Sequence, residues 1–190
     1  MAHDVHTTSA FVLSSANVQD SDKLFWLLTE DLGLVFASAR SVREETSKLR
    51  YSLSDLAHTR VSLVRGRGLW RLTGAENNTL EKLALSGTEV FGRIATLVRR
   101  VMPIDEENGE IFEIVHNAYN TLIIDEKNQK LIEILTVARV LYQLGYLSCI
   151  PIYRGLIDSF DFDEEIIKRV ITVENDMVDA INSGLAESQL

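Results

Sequence analysis

Cysteine is almost absent from this chain of 190 residues, because Cys149 is the only one. A single thiol cannot form a disulfide within the chain, and it cannot supply the set of thiolates that a cysteine-based zinc site needs. The four histidines (His3, His6, His58 and His116) show no metal-ligand spacing. We therefore expect neither a metal nor any other cofactor.

Long apolar runs are also missing. No stretch approaches the roughly 18–20 apolar residues that a membrane-spanning helix needs. The first ten residues, MAHDVHTTSA, lack the basic-then-apolar pattern of a secretory signal. These absences favour a soluble protein of the cytoplasm with no membrane partner.

Motifs for catalysis and nucleotide binding are absent as well. The tripeptide Gly66-Arg67-Gly68 is typical of a hairpin tip and does not fit a phosphate-binding glycine loop. The alternating acids Asp161, Asp163 and Glu165 lack the central glycine and closing glutamate of a calcium loop, and an acidic first helical turn explains them better. No Ser/His/Asp arrangement is recognisable, so we expect that the chain is not an enzyme.

Positive charge is scarce overall but unevenly distributed. The formal net charge is −9, yet residues 1–74 hold nine Lys and Arg against eight Asp and Glu, whereas residues 75–190 hold ten against twenty. The N-terminal part can therefore tolerate a polyanion, and the C-terminal part mostly repels one.

The hydrophobic period changes after Glu76. Before it, five short segments are rich in apolar and β-branched residues or alternate in polarity: 7–15, 23–29, 34–40, 59–65 and 69–73. In the fourth, Val61 and Leu63 face one side and Arg60, Ser62 and Val64 the other. Five strands in so few residues predict a small closed barrel, since closure removes exposed edges.

Helical periodicity follows in four segments: 78–101, 109–123, 127–147 and 163–185. Asn78 is placed to cap the first helix, Pro103 to end it, and Gly145 to cap the third. We predict an α+β protein with a barrel domain at 1–77 and an all-α bundle at 78–190.

The cations of the barrel segment suggest nucleic-acid binding, because small barrels hold single strands in grooves of cations and aromatic rings. The candidate phosphate contacts are Lys23, Arg40, Arg43, Lys48, Arg50, Arg60, Arg65, Arg67 and Arg71. The candidate rings are Tyr51, Trp26 and Trp70, although the apolar neighbours of Trp26 favour a core position. Two other interpretations stay open. Cations on strand edges discourage aggregation, and Glu44 and Glu45 can pair with their basic neighbours.

Four blocks of residues occur in order along the first 76 positions. They are Thr8, Ala10, Val12 and Leu13; then Asp22, Lys23, Leu24, Leu28, Thr29 and Gly33; then Ala39, Arg40, Arg43, Ser47, Lys48 and Leu49; and finally Leu72, Thr73, Ala75 and Glu76. These blocks resemble the bacterial DNA repair protein RecO family, whose pattern is roughly T-x-A-x-V-L, then D-R-L-x-x-x-L-T-x-x-x-G, then A-K-G-x-R-K-x-x-S-K-L, then L-T-x-A-E. Further on, RVLYQLGYL (139–147) resembles the family's R-L-L-x-x-L-G-Y.

The resemblance implies an oligonucleotide-binding (OB) barrel that binds single- and double-stranded DNA, followed by a helical domain. It further implies strand annealing, association with the nucleoid, and work with RecR-like and SSB-like proteins in loading RecA. It makes Arg40, Arg43, Lys48 and Arg50 the leading phosphate contacts. The cations that remain for an acidic SSB tail are Lys82, Arg93, Arg99, Arg100, Lys127, Lys130 and Arg139.

Departures from the family pattern leave a rival function open. Ser41 stands where a glycine is usual and Glu44 where a lysine is common, and only Cys149 remains of the four cysteines that bind zinc in many relatives. The rival is a protein-interaction scaffold whose barrel no longer binds DNA. A continuous positive groove on the barrel favours DNA, and a patchwork of charge favours the scaffold.

Overall fold

A computed structural model describes residues 4–18, 21–42, 44, 47, 49–77, 83–148 and 150–187. Five strands form a closed barrel: β1 (Val5–Val18), β2 (Asp22–Thr29), β3 (Gly33–Ala39), β4 (His58–Arg65) and β5 (Trp70–Asn77). The helices are α1 (Leu49–Ser52), α2 (Leu85–Val101), α3 (Gly109–Ile124), α4 (Gln129–Gln143) and α5 (Glu164–Glu187), with a 3-10 turn at Pro151–Tyr153. The prediction of a five-stranded OB-type barrel followed by a helical domain is confirmed.

The strands pair in the order β1-β2-β3-β5-β4, and β4 closes the ring against β1. All pairs are antiparallel except β3 with β5, where Ala37 lies opposite Trp70 and Ser38 opposite Arg71. β1 is long enough to pair with both β2 and β4, and an irregularity between Val12 and Ser14 interrupts its register with β2. Such a bulge bends a strand, which helps one strand to serve both neighbours.

Alternate residues of the strands fill the barrel. Phe25 and Leu27 of β2 and Val61 and Leu63 of β4 are all 0% exposed and belong to one apolar cluster. The strand alternation predicted for β4 is therefore confirmed, with Arg60 exposed on the opposite face.

The chain divides into two compact units. The barrel unit comprises residues 1–81 and 103–109, and the helical unit comprises residues 82–102 and 110–190. Residues 103–109 join α2 to α3 in sequence but belong to the barrel. Ile104 forms a parallel bridge with Leu34, and the Asp105 amide donates to the Leu34 carbonyl at 2.8 Å. This segment thereby pairs with β3 near its start.

A tight turn joins β2 to β3 beside that segment. The Thr29 hydroxyl donates to the Gly33 carbonyl at 2.8 Å and accepts from the Leu32 amide at 3.1 Å. Gly33 has φ +65, a conformation that favours glycine. These contacts give a structural reason for the threonine and glycine in the second block of the sequence pattern.

Within the helical unit, α4 packs against both α2 and α5. Its C-terminus is closed by Gly145 at φ +77, as the sequence predicted. The amides of Gly145 and Tyr146 donate to the carbonyls of Tyr142 and Leu141, at 2.9 and 2.8 Å. This is the paired hydrogen-bond pattern of a Schellman motif. No helix in the described part of the chain is long and apolar enough to cross a membrane.

Some predicted boundaries were wrong. α2 begins at Leu85, and its N-cap position is Ala84, which makes no side-chain cap hydrogen bond. Asn78, the predicted cap, lies outside the described residues. β5 runs to Asn77, four residues beyond its predicted end, because its second half pairs with the first half of β4.

Candidate nucleic-acid interface

The hairpin of β4 and β5 presents three arginines at one end of the barrel. Arg65 is the last residue of β4 and lies opposite Trp70, the first residue of β5. Between them the Gly66 amide donates to the Leu69 carbonyl at 3.0 Å, which closes the turn and places Arg67 at its tip. Arg71 follows on β5. The side chains of Arg65, Arg67 and Arg71 are all exposed.

These arginines share one cavity of about 530 Å³, which is lined by Val64, Arg65, Gly66, Arg67 and Arg71. None of the described residues that line it is acidic. A guanidinium presents several N–H donors in a plane and can bind two oxygens of one phosphate at once. The cavity is therefore chemically suited to the backbone of a nucleic acid. We call it the arginine cleft.

Arg65 is held in place by two neighbours. Its Nη1 donates to Oδ2 of Asp105 at 2.9 Å, and its guanidinium lies 4.8 Å from the centroid of the Trp70 ring. The Trp70 indole Nε1 donates to Oδ1 of Asp105 at 2.8 Å. Asp105 is thus part of the site, and sequence reasoning missed it. No sequence pattern relates Asp105, which lies between two helices along the chain, to a hairpin of the barrel.

The two tryptophans differ from their predicted roles. Trp70 is only 7% exposed and its indole N–H is bonded, so it is poorly placed to stack on a base. Trp26 is half-buried and stands outside the core cluster, so its predicted core position was wrong. It packs against Phe36 on β3 with ring centroids 4.3 Å apart. Its neighbours Phe25 and Leu27 face the interior, which puts Trp26 on the outer face.

The other predicted cations are dispersed. Arg60 lies on the outer face of β4, opposite Glu76 of β5. Lys23 is half-buried and donates to the Ser15 hydroxyl at 3.4 Å, and Arg40 is exposed in the turn after β3. Of the nine predicted contacts, the described structure brings three into one cavity.

Part of the predicted basic loop cannot be placed. Arg43 and Lys48 lie outside the described residues. The backbone of Arg50 belongs to α1, but its side chain and that of Tyr51 also lie outside the described part. The assignment of phosphate contacts to this loop stays a prediction.

The start of that loop carries a strained residue, Ser41, with φ +50. Its amide donates to Oδ1 of Asp22 at 2.9 Å, which fixes this backbone conformation. We expect Ser41→Gly to raise the free energy of unfolding by about 0.5 kcal/mol, because relief of the left-handed strain exceeds the added entropy of the unfolded chain. Urea unfolding measures the change. Ser54→Gly, at an exposed turn residue without a positive φ, is the control and is expected to lower stability. If Ser41→Gly lowered the free energy of unfolding as much as Ser54→Gly, backbone strain at Ser41 would be excluded.

Two of the cations suggested for an acidic tail share a groove in the helical unit. Arg93 and Arg100 line a cavity of about 260 Å³ together with Thr96 and Leu97. Arg93 donates to both carboxylate oxygens of Glu133 at 2.6 Å, and this bond raises its pKa. Half of the positive charge in this groove is therefore neutralised within the unit itself.

Arg139 does not belong to any such surface, because its side chain is 0% exposed. The prediction that Arg139 contacts an acidic SSB-like tail was therefore wrong. Lys82, another of the suggested cations, lies outside the described residues.

Comparison with known proteins agrees with this architecture. The family model "Recombination protein O N terminal" matches residues 1–79. The DNA repair protein RecO of Heliobacterium modesticaldum is 30% identical over 147 residues, which cover 75% of this chain and 52% of that protein. The RecO of Dehalococcoides mccartyi is 31% identical over 118 residues, which cover 60% of this chain and 46% of that protein.

The first of these alignments is longer than the barrel and so extends into the helical unit. The chain spans about half the length of these curated relatives. Three findings agree. The family model matches the part of the chain that forms the closed five-stranded barrel, helices follow that barrel, and these relatives share one name. The chain therefore belongs to the RecO family.

Proposed function

We propose that this protein binds DNA in recombinational repair and brings complementary strands together, without being an enzyme. One observation carries the proposal: three arginines line a single cavity on the barrel of a RecO-family chain. Binding by phosphate neutralisation involves no base edges, so the protein is expected to accept any DNA sequence.

The expected signature of such binding is its dependence on salt. Each phosphate that is neutralised on a single strand contributes about −0.7 to the slope of log K against log salt. The side chains of Arg67 and Arg71 are the two to change, since neither forms an ion pair with another described residue. Both are exposed, so their loss should scarcely affect folding.

We expect Arg67→Ala/Arg71→Ala to weaken the binding of a fluorescent single-stranded oligonucleotide about tenfold at about 50 mM salt, and to reduce the salt slope by about 1.4. Fluorescence anisotropy between about 50 and 200 mM salt measures both. The control is Lys127→Ala/Lys168→Ala, which removes the same charge from exposed positions of the helical unit. Equal slopes for the two double variants would exclude the arginine cleft as the DNA site.

A third variant tests the basic loop in the same assay. Replacing Arg40, Arg43, Lys48 and Arg50 with alanine weakens binding if the loop also contacts phosphates. If this variant loses the salt slope while the hairpin variant keeps it, the loop is the main DNA site and the cleft is not.

We also propose, from family membership, that the protein assists RecA loading on SSB-coated strands with a RecR-like partner. In the helical unit, the groove of Arg93 and Arg100 is the proposed site for an acidic SSB-like tail. Reversing the Arg100 charge with Arg100→Glu, and measuring tail-peptide binding, tests this site separately from DNA binding.

The interaction scaffold remains the second candidate, because acidic residues interrupt the cations of the barrel. Asp105 pairs with Arg65, and Glu76 lies opposite Arg60. These pairs make the barrel surface partly a patchwork of charge. If the wild-type protein fails to bind DNA even at about 50 mM salt, where phosphate binding is strong, the interaction scaffold becomes the better hypothesis.

A further inference from the structure

The carboxylate of Asp105 lies beside the arginine cleft and is engaged on both oxygens. Oδ2 accepts from Arg65 Nη1 at 2.9 Å, and Oδ1 accepts from Trp70 Nε1 at 2.8 Å. An arginine N–H and an indole N–H are both donors that a phosphate oxygen can also use. An internal anion therefore occupies donors next to the place where we locate the DNA backbone.

The position of this carboxylate is set by its backbone. Asp105 has φ +60, and its amide donates to the Leu34 carbonyl on β3 at 2.8 Å. The side chain is thereby directed at Arg65 and Trp70 from a segment that is hydrogen-bonded to the barrel. The ion pair itself is open to solvent, with the Arg65 and Asp105 side chains 53% and 36% exposed. Pairs this exposed are weak, so a DNA phosphate can compete for the guanidinium.

We propose that Asp105 sets the DNA affinity of the cleft by competing with a backbone phosphate for Arg65. This inference rests on the proposed function and assigns a role to a residue outside the basic loop. In this role Asp105 lowers affinity in two ways: it occupies a donor, and it repels the phosphate. If Asp105 instead only orients Arg65 for DNA, its removal weakens binding. The two roles predict changes of opposite sign.

Asp105→Asn removes the charge with little other change. The amide oxygen of asparagine can still accept from the Trp70 indole. Asparagine is also among the residues that tolerate a positive φ, and the backbone bond to Leu34 does not depend on the side chain. The variant is therefore expected to fold with nearly unchanged stability, which urea unfolding verifies.

The experiment compares wild type, Asp105→Asn and Asp55→Asn by anisotropy with the same single-stranded oligonucleotide. Asp55 is exposed just before β4, whereas Arg65 ends that strand, so it is a control of equal charge change at the other end of β4. Asp105→Asn is expected to bind about fivefold tighter at about 50 mM salt, the effect of one nearby unit charge. The gain is expected to shrink toward about 200 mM, because salt screens exposed charges. In an Arg65→Ala background, where there is no guanidinium to release, the gain should be smaller than in the wild-type background, because only the loss of repulsion remains.

The outcomes separate this inference from the proposed function. If wild-type binding depends on Arg67 and Arg71 but Asp105→Asn binds no tighter, or binds more weakly, the competitor role is wrong and DNA binding stands. A gain of the same size for Asp55→Asn also overturns it, since the effect is then one of net charge. If no variant binds at about 50 mM salt, where phosphate binding is strong, the proposed function itself fails and the inference fails with it.

Discussion

Gly33→Ala is expected to lower the free energy of unfolding by about 3 kcal/mol or more, or to prevent folding of the barrel. A Cβ at this position would lie 1.8 Å from the backbone oxygen of Glu106, a distance no side chain can accept. Gly33 also has φ +65, where alanine is strained. The clash is with backbone that is hydrogen-bonded to β3, so it cannot be relieved by rotating a side chain. Urea unfolding followed by tryptophan fluorescence reports on this, since both tryptophans, Trp26 and Trp70, lie in the barrel.

Gly68→Ala is the matched control for this prediction. A Cβ at Gly68 meets nothing within 4 Å, and this glycine has no positive φ. Its substitution should change the free energy of unfolding by less than about 1 kcal/mol. If Gly33→Ala were no more harmful than Gly68→Ala, the segment 103–109 would not be packed against the barrel as described, and the placement of Asp105 beside Arg65 would also be in doubt.

The second large effect is expected at Arg139, in the core of the helical unit. Its Nε donates to the Leu156 carbonyl at 2.7 Å and its guanidinium lies 4.6 Å from the Phe162 ring centroid. Nη1 and Nη2 are buried, and no described residue accepts a hydrogen bond from either. Burial lowers the pKa of Arg139 to about 10, although Asp161, Asp158 and Asp163 act in the opposite direction.

The sign of this pKa change determines what substitution does. The folded protein binds the Arg139 proton less tightly than the unfolded chain, so at neutral pH, where both states are charged, the charge opposes folding. The side chain must therefore contribute mainly through its volume and its contact with Leu156 and Phe162. We expect Arg139→Ala to lower the free energy of unfolding by about 3 kcal/mol, because it leaves a cavity.

Arg139→Met is the matched variant, because it keeps most of the volume and removes the charge. This variant loses the hydrogen bond to the Leu156 carbonyl, but it also has no charge to desolvate. Because the two effects oppose each other, we expect the free energy of unfolding to change by less than about 1 kcal/mol. Urea unfolding at neutral pH compares the two. A methionine variant as unstable as the alanine variant would mean that the charged group itself stabilises the unit.

The strands and helices were largely predictable because their patterns are local. Val61 and Leu63 alternate with Arg60 and Ser62 on β4, and the structure follows that alternation. Gly145 marks the end of α4 for a local reason, since a left-handed residue is needed there. The predictions failed where a distant partner decides. β5 extends to Asn77 because β4 is there to pair with it, and Trp26 faces outward because the strand register directs its neighbours inward.

The candidate site was predictable in its composition but not in its arrangement. The sequence identified Arg65, Arg67 and Arg71 among nine cations, and the hairpin turn between the first and last of these was also recognisable. It did not single these three out as neighbours in one cavity. What separates them from the other described cations is their position on one hairpin, since the described lining of the cavity lies within residues 64–71.

By itself, the sequence determined a barrel followed by helices, a mildly basic N-terminal part and a strongly acidic remainder, since periodicity and charge are properties of short segments. The tertiary structure alone decided that residues 103–109 join the barrel, that Gly33 admits no side chain, and that Asp105 pairs with Arg65. The reason is physical. Asp105 lies forty residues from Arg65 along the chain, and no local preference of either residue encodes their meeting. The segment is placed beside the barrel by the backbone hydrogen bond from Asp105 to Leu34 and by the bridge between Ile104 and Leu34. This placement brings the Asp105 carboxylate to Arg65.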